Sequence, residues 1–308
     1  MAALTWQRFR DSSFLHSFRN DKIAVASFLV MSLLVVASFS APLIAPYNPY
    51  DPIQIDIMDS EIPPAWLAQG DARFVLGTDA QGRDLLSTIL YGTRISLTIG
   101  IFAVALQAVL GVTLGLMSGY FGGRLDNFLM RVADIQLSFS TLMVAIIVLA
   151  VFQALFGTEL YERLAILMLV LVIGIAEWPQ YARTVRASVL AEKKKEYVDA
   201  VRVIGLGPTR IMFRHILPNT LSPLLVISTV QIANAIVSEA ALSFLGLGMP
   251  ITKPSLGSLI NSGFEFIFSG SWWITIIPGL VLVTLVLVMN LLGDWLRDVL
   301  NPKLYKDY

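Results

Sequence analysis

The sequence predicts an all-α integral membrane protein with about six transmembrane helices. The chain has 308 residues, of which 56% are hydrophobic and only 14% are charged, whereas soluble domains carry about 25% charged residues. Its mean hydropathy is +0.72. Several stretches contain no Asp, Glu, Lys or Arg and are long enough to cross a bilayer as a helix, which takes about 20 apolar residues.

The predicted spans follow one another along the chain. Five uncharged stretches cover residues 23–45, 95–118, 135–157, 216–238 and 266–293. A sixth, residues 164–182, holds one acid, Glu177. The first span follows a basic leader and is too long for a cleavable signal peptide.

These spans divide the chain into five parts. We expect an N-terminal leader (1–22), a first transmembrane helix (23–45), an extracytoplasmic loop (46–94), a transmembrane core (95–295) that contains a loop at 186–218, and a C-terminal tail (296–308). Cytoplasmic segments collect Lys and Arg. With both termini in the cytoplasm, the cytoplasmic segments hold 17 of the 22 Lys and Arg residues, eight of them in 183–214.

Composition and missing motifs exclude several functions. A net charge of zero gives no reason to expect a nucleic-acid partner. The chain has no cysteine and only two histidines, so thiol catalysis and thiolate metal sites are excluded and a histidine metal site has little room. It contains no phosphate-binding loop, H-E-x-x-H or G-x-S-x-G motif. We therefore expect no catalytic residue, no metal and no cofactor bound by this chain.

The basic stretch EYVDAVRVIGLGPTRIMFRHILPN, residues 196–219, predicts two short helices joined by a turn. Tyr197, Ala200, Val201 and Ile204 recur at spacings of three and four and share one helix face, while three charged residues point elsewhere. Those charged residues are Glu196, Asp199 and Arg202.

A turn should follow the first of these helices. Gly205 and Gly207 end it, and Pro208 suits the first turn of the second. The second helix carries Arg210 and Arg214 toward the fifth span. One interpretation is an amphipathic helix on membrane lipid, with Lys193, Lys194 and Lys195 near anionic headgroups.

A resemblance favours another interpretation. The stretch resembles the cytoplasmic loop of bacterial ABC importer permeases. The sequence pattern of that loop is E-A-A, three residues, Gly, nine residues, then I-x-L-P. Here Asp199-Ala200-Val201 stands for E-A-A, Gly205 matches, and Leu217-Pro218 closes the motif with His215 at the isoleucine position. The acid is shorter and one alanine is valine, so the first triplet departs from the pattern.

The resemblance extends over nearly the whole chain and is strongest to the oligopeptide and dipeptide permeases of the OppC/DppC type. It is carried by RNDKIAVASFLVMSLLVVASFSAPLIAPYNPYDP, LGTDAQGRDLLSTILYGTRISLTIG, SEAALSFLGLGMPITKPSLGSLI and NLLGDWLRDVLNP, in that order. It implies a type I ABC importer permease fold in the bacterial inner membrane. Residues 186–218 would then be a coupling loop that docks on an ATPase subunit.

The resemblance also implies partners. These are a second homologous permease, two cytoplasmic ATPases that bind ATP and Mg, and an extracytoplasmic solute-binding protein. The apolar face of the coupling loop, including Ile204 and Leu206, should bury against the ATPase. Short peptides are the solute of this family, although relatives carry nickel chelates, opines and other solutes. A channel or an ion-coupled transporter is the competing function class, but almost no charge lies at membrane depth.

Two further patterns concern packing and turns. Gly111, Gly115 and Gly119 are spaced by four, so another helix can approach this face closely. Gly77, Gly82 and Gly92, with Asp79, Arg83 and Asp84, favour a structural clasp of turns and ion pairs over a solute contact.

Polar residues near the fifth span admit two interpretations. Gln231, Asn234 and Ser238 form a stripe that could line a translocation path, with Glu239 near its outer end. The same residues could instead hydrogen-bond neighbouring helices. Glu177, beside Trp178 and Pro179, is expected to anchor its helix or order the coupling loop.

Overall fold

The computed structural model describes residues 13–300, and in this range the chain is a bundle of helices. The helices are α1 (Ser13–Asn20), α2 (Lys22–Phe39), α3 (Ala41–Ile44), α4 (Leu85–Phe121), α5 (Gly123–Leu137), α6 (Thr141–Phe156), α7 (Thr158–Glu192), α8 (Glu196–Val203), α9 (Pro208–Ile211), α10 (Leu221–Phe244), α11 (Leu256–Phe264) and α12 (Trp273–Leu300). The only β-pairing in this part of the chain is an isolated bridge between Thr78 and Asp84. Residues 1–12 of the predicted leader and 301–308 of the predicted tail lie outside the described residues.

Helices α4 and α7 form the central pair, and glycines let them approach. A Cβ on Gly111 would lie 2.3 Å from the Cβ of Tyr181, and one on Gly115 would lie 2.6 Å from the carbonyl oxygen of Ala182. Gly119 meets Val189 one turn further on. Residue numbers rise together along the two helices, so α4 and α7 run parallel. The prediction of a small-residue packing face is confirmed.

The other helices surround this pair. Helix α2 packs against α4 and α12, α6 packs against α7, and α10 contacts α4, α7 and α12. The bundle has two ends, which we name by what lies there. The loop end holds residues 45–84 and the beginnings of α4 and α7, and the elbow end holds α8, α9 and the last turn of α7.

Four helical segments in the described residues are long and apolar enough to cross a membrane. They are α2, α4, α12 and the run Pro208–Phe244, which joins α9 to α10. Helices α5 and α6, bent by 83° at their junction, would make a fifth span if they are taken together. These segments overlap five of the predicted spans. The sixth, residues 164–182, lies within α7, which runs alongside α4.

The structure differs from the sequence prediction in several places. The last span begins at Trp273 and not at residue 266, and its helix runs to Leu300, past the predicted end at residue 293. Helix α4 begins at Leu85 and not near residue 95, because the Asp84 side chain accepts a hydrogen bond from the Ser87 amide at 2.8 Å and caps it. The predicted third span, residues 135–157, is not one helix: it includes the end of α5 and the break at residues 138–140 before α6. Helix α11 was not predicted, and it begins with a capping box between Ser255 and Ser258.

Candidate functional site

The predicted coupling loop, residues 186–218, forms two short helices and a turn at the elbow end. Helix α8 has Glu196 and Asp199 in its first turn and Arg202 in its last, which suits the helix dipole at both ends. The predicted pair of helices is present. The loop shares its first seven residues with α7, which ends at Glu192.

The turn between α8 and α9 is a Schellman motif. Gly205 has φ +82°, its amide donates to the carbonyl of Arg202 at 2.9 Å, and the Leu206 amide donates to the carbonyl of Val201 at 3.2 Å. A left-handed residue at this position is best supplied by glycine. Gly207 has no such requirement, and it precedes Pro208, which begins α9 as predicted.

The second half of the loop is continuous with α10. A π-helical turn, Met212–Ile216, follows α9, and a 3₁₀ turn, Leu217–Thr220, leads into α10. Ile211, Met212 and Ile216 are buried. His215 and Leu217 are half-buried, and Pro218 is exposed.

One face of α8 is fixed to the chain's own core. Val198 is fully buried, and Tyr197 and Val201 pack partly against the same core cluster as Val189. The hydroxyl of Tyr197 lies 2.7 Å from Glu192 Oε2 and 3.1 Å from the amide nitrogen of Asn219. The coupling loop is therefore held rigidly on the ends of α7 and α10.

The opposite face is exposed and apolar. Val203 is 88% exposed and Ile204 is 75% exposed, although each is a large aliphatic side chain. The same loop carries five exposed charged residues, namely Glu196, Asp199, Arg202, Arg210 and Arg214. We call Val203 and Ile204 the exposed ridge.

The predicted apolar face of α8 is divided between these two surfaces. Tyr197 and Val201 face the core, whereas Ala200 and Ile204 face outward. Leu206, predicted to face a partner, packs partly against this chain's own core. Val198 was missed, because its helix face is decided by where the end of α7 lies.

The polar stripe of α10 is also divided. Gln231 is buried, with its amide 3.5 Å from the side-chain oxygen of Gln107 on α4. Asn234 is exposed and donates to Gln231 at 3.0 Å, and Ser238 is half-exposed. Only Asn234 and Ser238 face away from the bundle.

Glu239 lies inside the bundle and is fully buried. Its side chain is 0% exposed and accepts hydrogen bonds from Ser96 of α4 at 2.8 Å and Ser243 of α10 at 2.7 Å. The Leu256 amide, at the beginning of α11, lies 3.4 Å from the Ser96 hydroxyl. This geometry fits the packing interpretation of Glu239: the carboxylate joins three helices.

The loop end carries the predicted clasp. Asp79 and Arg83 form a buried ion pair at 2.7 Å, and Arg83 Nη1 donates to the carbonyl of Ile251 at 2.9 Å. Gly77 and Gly82 are in turns with positive φ, as predicted. Gly92 is not a turn residue: it lies within α4, where its backbone approaches Ser255 closely.

Two other acids near the bundle ends are also held by hydroxyl groups. The Thr141 hydroxyl donates to Glu177 at 2.6 Å, which fastens α7 to the start of α6. Asp84 is hydrogen-bonded to Ser87, and burial raises the pKa of its carboxyl group above the usual value. Among the described residues, no three His, Cys, Asp or Glu side chains are grouped to hold a metal ion.

Comparison with known proteins identifies relatives over almost the whole length. Residues 111–306 match the family described as binding-protein-dependent transport system inner membrane component, and residues 2–64 match the N-terminal transmembrane domain of oligopeptide transport permease C. The chain is 39% identical to the di/tripeptide transport system permease protein DppC of Pseudomonas aeruginosa, over 94% of this chain and 91% of that protein. It is 40% identical to the dipeptide transport system permease protein DppC of Escherichia coli, over 94% of this chain and 92% of that protein.

A solved structure shows the fold. The MetNI methionine ABC transporter in an inward-facing conformation is similar with a TM-score of 0.54 and 20% sequence identity, covering 70% of this chain and 96% of that chain. At this identity the likeness concerns fold alone. The fold is therefore that of a type I ABC importer permease.

Proposed function

This chain belongs to the family of binding-protein-dependent transport system inner membrane components, and we propose that it is one of two permease subunits of an ATP-driven importer of short peptides. It is a multi-pass protein of the bacterial inner membrane, and it acts as a transport subunit. The peptide assignment rests on the dipeptide permeases that it resembles over 94% of its length.

The observation that carries the mechanism is the exposed ridge on a rigid loop. Burial of a large aliphatic side chain contributes about 1.5–3 kcal/mol, so Val203 and Ile204 favour a docked partner over open water. The partner that we propose at this surface is one of two cytoplasmic ATPase subunits, which bind ATP and Mg. The buried face of α8 then carries their movement into α7 and α10.

The rest of the assembly follows from the two ends of the bundle. We propose that both termini and the coupling loop are cytoplasmic and that the loop end is extracytoplasmic, where a solute-binding protein delivers the peptide. A second homologous permease completes the translocation path. In this chain the path would be lined by Asn234 and Ser238, the two stripe residues that face away from the bundle.

The test is purification of the chain from its native host with its associated proteins. Ile204→Asp should lose the ATPase subunits from the purified complex, because a carboxylate on the ridge cannot be buried without a partner charge. The matched control is Ile53→Asp, which changes a 93% exposed side chain at the loop end and should retain them. Equal recovery of the ATPases with Ile204→Asp would contradict docking at the ridge.

Uptake measurements test the assignment of short peptides as the solute. Uptake of a labelled dipeptide should require this chain and ATP. If a nickel chelate or an opine competes and peptides do not, the importer assignment stands and the solute assignment is wrong. Flux into liposomes by this chain alone, without ATP, would favour a channel or a secondary transporter.

A further inference from the structure

Two basic side chains at the loop end have no carboxylate partner among the described residues. The loop end carries five basic residues: Arg73, Arg83, Arg94, Arg163 and Lys253. Three of them form ion pairs. Arg73 pairs with Asp59 and Asp71, Arg83 pairs with Asp79, and Arg163 pairs with Glu159. Arg94 and Lys253 form none within residues 13–300, although this end is rich in acids.

Both of these side chains line one cavity. It has a volume of about 280 Å³ and lies between α4, the start of α7 and two loops, with Tyr50, Tyr91 and Thr98 also on its wall. None of the residues that line it is acidic. The cavity thus combines two positive charges with hydroxyl groups.

Two tyrosines of the cavity wall pack against each other. Their rings lie edge to face with centroids 5.0 Å apart. Burial raises the pKa of Tyr50 to about 12. No described residue accepts a side-chain hydrogen bond from Arg94. Its guanidinium carbon lies 5.8 Å from the ring centroid of Phe39 on α2.

The cavity lies at a membrane boundary. Arg94 immediately precedes residues 95–118, which contain no charged residue. A charged residue at the end of such an uncharged stretch marks the level at which the helix passes from the hydrocarbon core to the headgroup layer. Asp84, the next charge toward the loop, is part of the clasp.

An exposed apolar stripe runs from the cavity toward the middle of the span. Ile101 and Phe102 follow Arg94 by seven and eight residues and so lie on its side of α4, and they are 44% and 60% exposed. Val109, two turns further on, is 64% exposed. Ile166 of α7 is 37% exposed and lines the cavity itself.

From this arrangement we propose that the cavity binds the headgroup phosphate of an anionic phospholipid, with one acyl chain along the stripe of α4. Arg94 and Lys253 supply the charge that a phosphodiester requires, and the planar guanidinium can donate two parallel hydrogen bonds to its oxygens. The stripe explains why a lipid fits better than a free anion, which would leave Ile101 and Phe102 uncovered. A peptide carboxylate would also leave the stripe uncovered.

The experiment uses the purified transporter complex, stripped of lipid in detergent, and follows its thermal unfolding. Dioleoylphosphatidylglycerol should raise the unfolding midpoint by about 2–4 °C in a saturable way. Dioleoylphosphatidylcholine, inorganic phosphate and dialanine, each at the same concentration, should raise it by less than half as much. Native mass spectrometry should show one phosphatidylglycerol retained per copy of this chain.

Variants test the site itself. The double variant Arg94→Gln and Lys253→Gln should lose most of the shift and the retained lipid, and Arg94→Lys with native Lys253 should keep a measurable part. The control Arg163→Gln removes a basic residue of the same end that is paired with Glu159 and does not line the cavity. An unchanged shift in the double variant overturns the proposal, as does an equal shift with phosphate or dialanine in place of the lipid. If the double variant does not assemble, the single variants Arg94→Gln and Lys253→Gln are compared with the native chain instead. The readouts are again the unfolding midpoint and the retained lipid.

Discussion

Arg83 donates a hydrogen bond to the carbonyl of Ile251, 168 positions away in the chain, while its other side pairs with Asp79. This one guanidinium therefore ties the loop before α4 to the loop after α10. Both charges are buried, so neither can rely on water if the other is removed.

Asp79→Asn should destabilise the protein strongly. Removal of one partner from a buried ion pair costs about 3–5 kcal/mol, because the remaining charge is left without compensation. Asp79 also accepts from the amides of Gln81 and Arg83, which the variant can keep. The measurement is the unfolding midpoint in detergent. The exposed pair of Glu159 and Arg163 is the control, since Glu159→Gln should leave the midpoint unchanged.

Gly115→Ala should weaken the packing of α4 on α7. The new Cβ would lie 2.6 Å from the carbonyl oxygen of Ala182, which is backbone and cannot rotate away. Overpacking of this kind costs about 1–3 kcal/mol. Gly279→Ala is the matched control: it lies within α12 with open space at its Cβ position, so it should be neutral or slightly stabilising. Equal midpoints for the two variants would contradict the close approach.

Glu239→Gln and Glu239→Ala should behave differently. An amide keeps the shape of the carboxylate and can still accept from Ser96 or Ser243, so we expect Glu239→Gln to assemble and transport nearly as the native chain does. Glu239→Ala removes the carboxyl group that accepts from both hydroxyls in a buried site, although each hydroxyl still accepts from a backbone amide, and it should cost about 1–3 kcal/mol. Loss of transport in a fully assembled Glu239→Gln variant would instead support a role for its charge.

Gly205→Ala should uncouple ATP hydrolysis from uptake. The Cβ meets no atom within 4 Å, so the chain still folds, but φ +82° costs a non-glycine residue about 1–2 kcal/mol and the turn will relax. The ridge then changes its angle to α9. Gly207→Ala has equally open space without positive φ and should couple normally. The readout is the ratio of dipeptide uptake to ATP hydrolysed.

Orientation can be measured directly because the chain has no native cysteine. Ile204→Cys places a thiol at the elbow end, where the native side chain is 75% exposed. Ile53→Cys places one at the loop end, where the native side chain is 93% exposed. In cells that lack the ATPase subunits, a membrane-impermeant maleimide should label Ile53→Cys in spheroplasts, whereas Ile204→Cys should be labelled only after permeabilisation. The reverse pattern would invert the proposed topology.

The sequence was sufficient where a residue's role depends on its neighbours in the chain. The uncharged stretches predicted the spans, Gly205 and Pro208 predicted the turn of the coupling loop, and the spacing of Gly111, Gly115 and Gly119 predicted a close helix contact. Each of these signals is local, and each depends on backbone geometry.

It was insufficient where a role depends on a distant partner. The Ser96 that binds Glu239 lies 143 positions away, and no periodicity links them. The buried side of α8 depends on where α7 ends, so Val198 and the packing of Leu206 against this chain's own core were not predicted. Arg94 and Lys253 are ordinary flanking residues until the fold brings both to one cavity.

The π-helical and 3₁₀ turns after α9 leave no gap between the coupling loop and the fifth span. Pro208–Phe244 is one continuous run of 37 residues, which at 1.5 Å per residue is roughly 55 Å long. If the run moves as one straight body, a tilt of about 10° at one end displaces the other end by roughly 10 Å. A small angular change at the coupling loop would then become a displacement as wide as a helix at the opposite membrane surface.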